Sequence, residues 1–88
     1  MLDVEYAPRF LREYHTLEPR LQEEVREKVA LFNDPKSHRH LKVHPLRGRM
    51  KGRWSFSVNY KYRIVFKYIG KGKKHAALLS VSDHATYD

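Results

Sequence analysis

Eighty-eight residues with no cysteine leave no room for a second hydrophobic core and exclude both disulfides and thiolate metal sites. No apolar run approaches the roughly 20 residues that a membrane span requires, and the start Met1-Leu2-Asp3-Val4-Glu5 does not resemble a secretory signal. The expectation is a single domain over residues 1–88, cytoplasmic, with a net charge of +8 that favours polyanionic partners.

In chain order, Leu2, Val4 and Tyr6 alternate with Asp3 and Glu5, which predicts a short half-buried strand. Pro8 suits a first helical turn, and Phe10, Tyr14 and Leu17 then share one helical face. Pro19 opens a second helix whose Leu21, Val25, Val29 and Phe32 recur at helical spacing until Asn33-Asp34-Pro35 stops it. The period then becomes two. Leu41 and Val43 alternate with Lys42 and His44 in a brief strand ended by Pro45, and a loop with two glycines, Gly48 and Gly52, follows. Trp54, Phe56 and Val58 form one strand face, and Tyr62, Ile64, Phe66 and Tyr68 form the next. Gly70-Lys71-Gly72-Lys73 marks a turn, after which Ala77, Leu79 and Val81 continue the apolar face. The order β-α-α-β-β-β predicts an α+β fold: an N-terminal helical hairpin packed on one face of a twisted, mainly antiparallel four-stranded sheet.

Charge is segregated along the chain. All ten carboxylates lie outside Pro35–Ser82, a stretch holding thirteen of the eighteen lysines and arginines. Since side chains alternate across a strand, the sheet face turned away from the helices must present some of Ser55, Ser57, Arg63, Val65 and Lys67. An open basic face of that kind can cradle a nucleic-acid backbone. Arg47, Arg49, Lys51, Arg53, Lys61 and Lys67 are the RNA-binding candidates, and Tyr60, Tyr62, Tyr68 and Trp54 could stack on bases, although alternation assigns Trp54 and Tyr62 to the core.

A magnesium nuclease holds its metal with carboxylates, and the C-terminal half offers only Asp83 and Asp88. The sequence therefore predicts no metal and no cofactor. His38, His40 and His44 have a loose ligand spacing, but Arg39 and Lys42 among them would repel a cation. Without a metal, cleavage of a phosphodiester suits RNA, whose 2′-hydroxyl is an internal nucleophile needing a base, a charge-stabilising group and an acid. His44 is a candidate base or substrate-orienting group, with a plain surface histidine as the alternative. Arg63, flanked by Tyr62 and Ile64, is a candidate phosphate ligand, with a structural ion pair as the alternative. His84 and Tyr87 follow the last strand and join Arg63 if the tail folds back.

The run His44-Pro45-Leu46-x-Gly48-x-x-Lys51-Gly52-x-Trp54-Ser55-Phe56-Ser57-Val58, with Tyr62-Arg63-Ile64-Val65-Phe66 and Asp83-His84-x-x-Tyr87, resembles the RelE/ParE toxin superfamily, closest to its RelE-like and YafQ-like mRNA interferases. The resemblance covers nearly the whole chain. It implies a type II toxin: a ribosome-dependent endoribonuclease that cuts mRNA in the A site of the 70S ribosome and is silenced by a cognate antitoxin. It also implies that Arg63 stabilises the phosphate, that His84 holds the C-terminal catalytic position, and that Tyr87 orients the substrate. His44 would match the histidine before the glycine loop, while Lys51 and Arg53 would bind mRNA or ribosomal RNA. The lysine pair of RelE stands here as Ser55 and Ser57, and Pro35–Ser82 has no counterpart of the carboxylate base of some relatives. Proton abstraction then falls to His44 or His84. Two other functions suit the same fold: a ParE-like inhibitor of DNA gyrase, which binds without catalysis, and a non-catalytic nucleic-acid-binding module.

Overall fold

The computed structural model describes residues 1–83. Two prolines open the two helices, α1 (Pro8–His15) and α2 (Pro19–Phe32). At that position the ring presets φ, and the missing N–H is one the first turn would leave unpaired anyway. The buried faces are those the spacing predicts: Phe10 on α1, and Leu21, Val25, Val29 and Phe32 on α2.

Among the described residues, five strands follow the order β1-β5-β4-β3-β2 across one sheet. They are β1 (Asp3–Tyr6), β2 (His44–Pro45), β3 (Trp54–Ser57), β4 (Tyr62–Tyr68) and β5 (His75–Asp83). All neighbours are antiparallel except β1, which lies parallel to β5. The sheet is thus mixed and holds one strand more than the four expected. The difference is one of counting: β2 is the brief strand expected at Leu41–His44, which the four-stranded order leaves out, and at two residues it is shorter than that alternation suggests. Leu41 turns into the core at 2% exposure, and Lys42 adopts a left-handed φ of 59°. Extension begins only after that residue.

Tyr62, Ile64, Phe66 and Tyr68 point to the helices, together with Trp54, Phe56 and Val58. Phe32 is the hub of this core. Its ring stacks on Phe56 at 4.5 Å, on His38 at 4.8 Å, and meets Phe66 edge-on at 4.7 Å. On β5 the expected face of Ala77, Leu79 and Val81 does not hold. Phe66 pairs with Leu78 and Val65 with Ser80, so Leu79 is an extra, unpaired residue and the alternation resets there. The core members are Ala76, Leu78 and Val81, while Ala77 lies on the opposite face beside Lys67.

The bulge sits where β1 runs out. Beyond Tyr6 the edge of β5 has no strand partner, and α1 takes its place. The Glu13 carboxylate accepts hydrogen bonds from Ser80 Oγ (2.8 Å) and from the Val81 amide (3.1 Å), closing the open edge. Arg9 Nε holds the other carboxylate oxygen at 3.3 Å.

Candidate nucleic-acid interface

The sheet face turned away from the helices carries, in register, Ser57, Arg63 and Ser82 in one row and His44, Ser55, Val65 and Ser80 in the next. Part of this face is roofed rather than open. Ser55 and Val65 are buried, at 0% and 1% exposure. A shallow concavity over Val65 and Ser80 is walled by Arg9, Met50, Arg53 and Leu79. The loop from Arg47 to Arg53 folds onto the sheet through one 3₁₀ turn (Gly48–Met50), with Leu46 donating to the Arg53 carbonyl at 2.8 Å. Gly48 (φ 65°) and Gly52 (φ 90°) bracket that turn in conformations that L side chains rarely adopt. The loop leaves Arg47, Arg49, Lys51 and Arg53 exposed, and Lys67 is exposed beyond it on the same sheet face.

The open part of the face is a cavity of about 460 Å³ at the other end, lined by Lys42, His44, Ser57, Tyr60 and Arg63, with Asn59 and Tyr62 at its turn side. Two residues singled out in the sequence, His44 and Arg63, meet here. Their backbones are two strands and one register step apart, roughly 10–12 Å, close enough for both long side chains to address one nucleotide. Among the described residues no carboxylate lines the cavity. Arg63 is half-buried and has no ion-pair partner among the described residues. An always-charged guanidinium so placed is suited to an anion supplied from outside.

His44 is held in one tautomer. Its Nδ1 lies 2.7 Å from the Lys42 carbonyl oxygen. A carbonyl can only accept, so in the neutral ring Nδ1 carries the proton and Nε2 keeps its lone pair. The left-handed turn at Lys42 is what aims that carbonyl. Other histidines are tied into the structure. The Nε2 of His38 lies 2.8 Å from the Phe32 carbonyl oxygen, and His75 pairs with Glu5 at 2.9 Å. Among the described residues no cluster of histidine and carboxylate groups could hold a metal ion.

Lys61, expected to bind RNA, forms a long ion pair of 3.9 Å with Asp83, and both groups are well exposed. The strand pairings bring the end of β5 to this corner of the sheet: Ser82 is opposite Arg63 and Asp83 is opposite Tyr62. His84 and Tyr87 lie outside the described residues. Tyr60, one of the aromatics expected from the sequence to be able to stack on bases, lines the cavity, and so does Lys42, which the sequence did not single out. Lys42 carries no sequence signal, because its contribution is a backbone conformation. Tyr60 does carry one: an aromatic residue within a polar turn. A separate apolar groove of about 360 Å³ between α1 and α2 is lined by Phe10, Leu11, Val25 and Val29, with Tyr6, Tyr14 and Arg26 as its acid–base groups among the described residues.

This fold, a helical hairpin on one face of such a sheet, is shared with solved toxins of the RelE and YoeB kind. Among solved structures it is similar to YafQ from Escherichia coli strain BL21(DE3), with a TM-score of 0.75, 19% identity, and coverage of 98% of this chain and 97% of that one. It is similar also to the RelBE2 toxin–antitoxin complex from Mycobacterium tuberculosis, with a TM-score of 0.70, 23% identity and coverage of 94% and 98%. A YoeB–YefM complex from Staphylococcus aureus gives 0.71, 16%, 96% and 98%. Neither the protein-family models nor the curated proteins yield a match. No helix among the described residues is long and apolar enough to cross a membrane.

Proposed function

We propose that this protein is the toxin of a type II toxin–antitoxin pair and a metal-independent endoribonuclease that cleaves mRNA on the ribosome. The observation that carries this reading is the cavity lined by both Arg63 and His44, an imidazole whose Nδ1 is bonded to the Lys42 carbonyl so that Nε2 is left as the base. In the reaction, His44 Nε2 takes the proton of the 2′-hydroxyl as its oxygen bonds to the adjacent phosphorus. Arg63 stabilises the charge that builds on the phosphorane oxygens, and the bond from phosphorus to the 5′-oxygen breaks. His84 is proposed as the acid that protonates that oxygen, with Tyr87 orienting the substrate. The products are a 2′,3′-cyclic phosphate and a 5′-hydroxyl.

Arg47, Arg49, Lys51, Arg53, Lys61 and Lys67 are proposed to hold mRNA or ribosomal RNA by their charge. Two of the similar structures are described as complexes with a partner, RelBE2 as a toxin–antitoxin complex and YoeB with YefM. An acidic antitoxin segment would complement the same basic face and silence it. Primer extension on a translated message after induction tests the reading. Wild-type protein should create new 5′ ends that Arg63→Ala does not. Arrested growth with intact messages and damaged DNA would favour gyrase inhibition instead.

A further inference from the structure

Tyr60 has no structural reason to be a tyrosine. It stands 97% exposed in the turn between β3 and β4, where a small polar residue would serve the turn better. The turn itself is tied by hydrogen bonds. Asn59 Oδ1 accepts from the amides of Lys61 (2.8 Å) and Tyr62 (2.7 Å), the Val58 amide donates to the Tyr62 carbonyl at 2.9 Å, and Asn59 Nδ2 reaches Glu24 on α2 at 3.4 Å. An aromatic ring is therefore held out at the mouth of the cavity that contains His44 and Arg63. Its setting of Lys42, Lys61 and Arg63 selects for a polyanion.

We infer that Tyr60 is a stacking platform for one nucleobase of the RNA, adjacent to the phosphate held by Arg63. The inference rests on the ribonuclease reading above and adds a subsite to it. In-line attack by a 2′-oxygen requires the two nucleotides flanking the scissile phosphate to splay apart, so one base must leave its neighbour. A pre-positioned ring receives that base without sequence preference, because every base has a π-face.

The test is an NMR titration of the full-length protein with a short 2′-O-methyl oligoribonucleotide, which cannot be cut, at concentrations that read millimolar affinities. The Tyr60 ring protons should move upfield as the base stacks. Tyr60→Ala should weaken binding by about five- to hundredfold, whereas Tyr60→Trp retains it. The salt dependence should be the same in Tyr60→Ala as in wild type, because stacking releases no counterions, and shallower in Arg63→Ala. If Arg63→Ala weakens binding while Tyr60→Ala does not, the stacking platform is overturned, the ribonuclease reading stands, and a protein partner becomes the ring's occupant. If wild-type protein shows no shifts at all, the stacking platform is overturned as well, while the ribonuclease reading stands or falls on primer extension of a translated message.

Discussion

The bond between His44 and the Lys42 carbonyl can be broken without altering the imidazole or the carbonyl, by comparing two substitutions at residue 42 that remove the same cavity-lining ammonium but differ in backbone preference. A lysine held at φ 59° carries a penalty of roughly 1–2 kcal/mol relative to right-handed backbone. Glycine carries almost none, but its unfolded chain is freer by about 0.5–1 kcal/mol. Lys42→Gly should therefore leave stability within about 1 kcal/mol of wild type and keep the carbonyl aimed at Nδ1. Lys42→Val places a β-branched side chain in that region, so the residue should relax to negative φ and swing its carbonyl away. The lost hydrogen bond contributes about 1 kcal/mol, and that difference is about a fivefold change in the share of rings with a free Nε2. Long-range ¹⁵N correlation spectra of His44 read the tautomer directly. Single-turnover cleavage of message on ribosomes reads its consequence. The expected result is a protonated Nδ1 in wild type and Lys42→Gly, and a mixed population in Lys42→Val with cleavage several-fold slower than in Lys42→Gly, which lacks the same ammonium. A protonated Nε2 in wild type, or unchanged spectra in Lys42→Val, would refute the reasoning.

Arg63→Ala should lower cleavage by about 10²–10³-fold, the cost of losing one donor to a developing oxyanion. Because Arg63 has no ion pair among the described residues, thermal unfolding should show no loss of stability, and Arg63→Lys should restore only part of the activity. Phe32→Ala removes the ring that Phe56, Phe66 and His38 pack against, and urea unfolding should report a loss of about 3–5 kcal/mol. Glu13→Ala leaves Ser80 Oγ and the Val81 amide without their carboxylate, which should cost about 1–3 kcal/mol by the same measurement. Hydrogen exchange at Val81 should accelerate in that variant before the rest of β5 does.

The helices and the two central strands were legible because proline, polar stops and strict alternation act locally. Pro8 and Pro19 each begin a helix, and Trp54 through Tyr68 keep the predicted faces. β5 was misread because its parity is set by a distant group. Glu13, brought by α1 to the open edge, fixes Ser80 and Val81 on one side of the unpaired Leu79. β2 was misplaced because Lys42, an ordinary residue for a strand, is turned left-handed. In the site, His44 and Arg63 could be picked out by residue type alone, since a lone arginine in an apolar strand without nearby acids invites an external anion. Their meeting in one cavity is a property of the sheet register, and the tautomer of His44 is a property of a carbonyl that no sequence pattern displays.

Chemical mapping of the cleaved ends, on a message translated in a purified system, tests most directly whether imidazole and guanidinium do this chemistry without a metal. The account predicts 2′,3′-cyclic phosphate and 5′-hydroxyl termini, with no cleavage where the nucleotide 5′ to the cut is 2′-deoxy. Termini bearing 3′-hydroxyl and 5′-phosphate, formed equally well at a 2′-deoxy position, would contradict it.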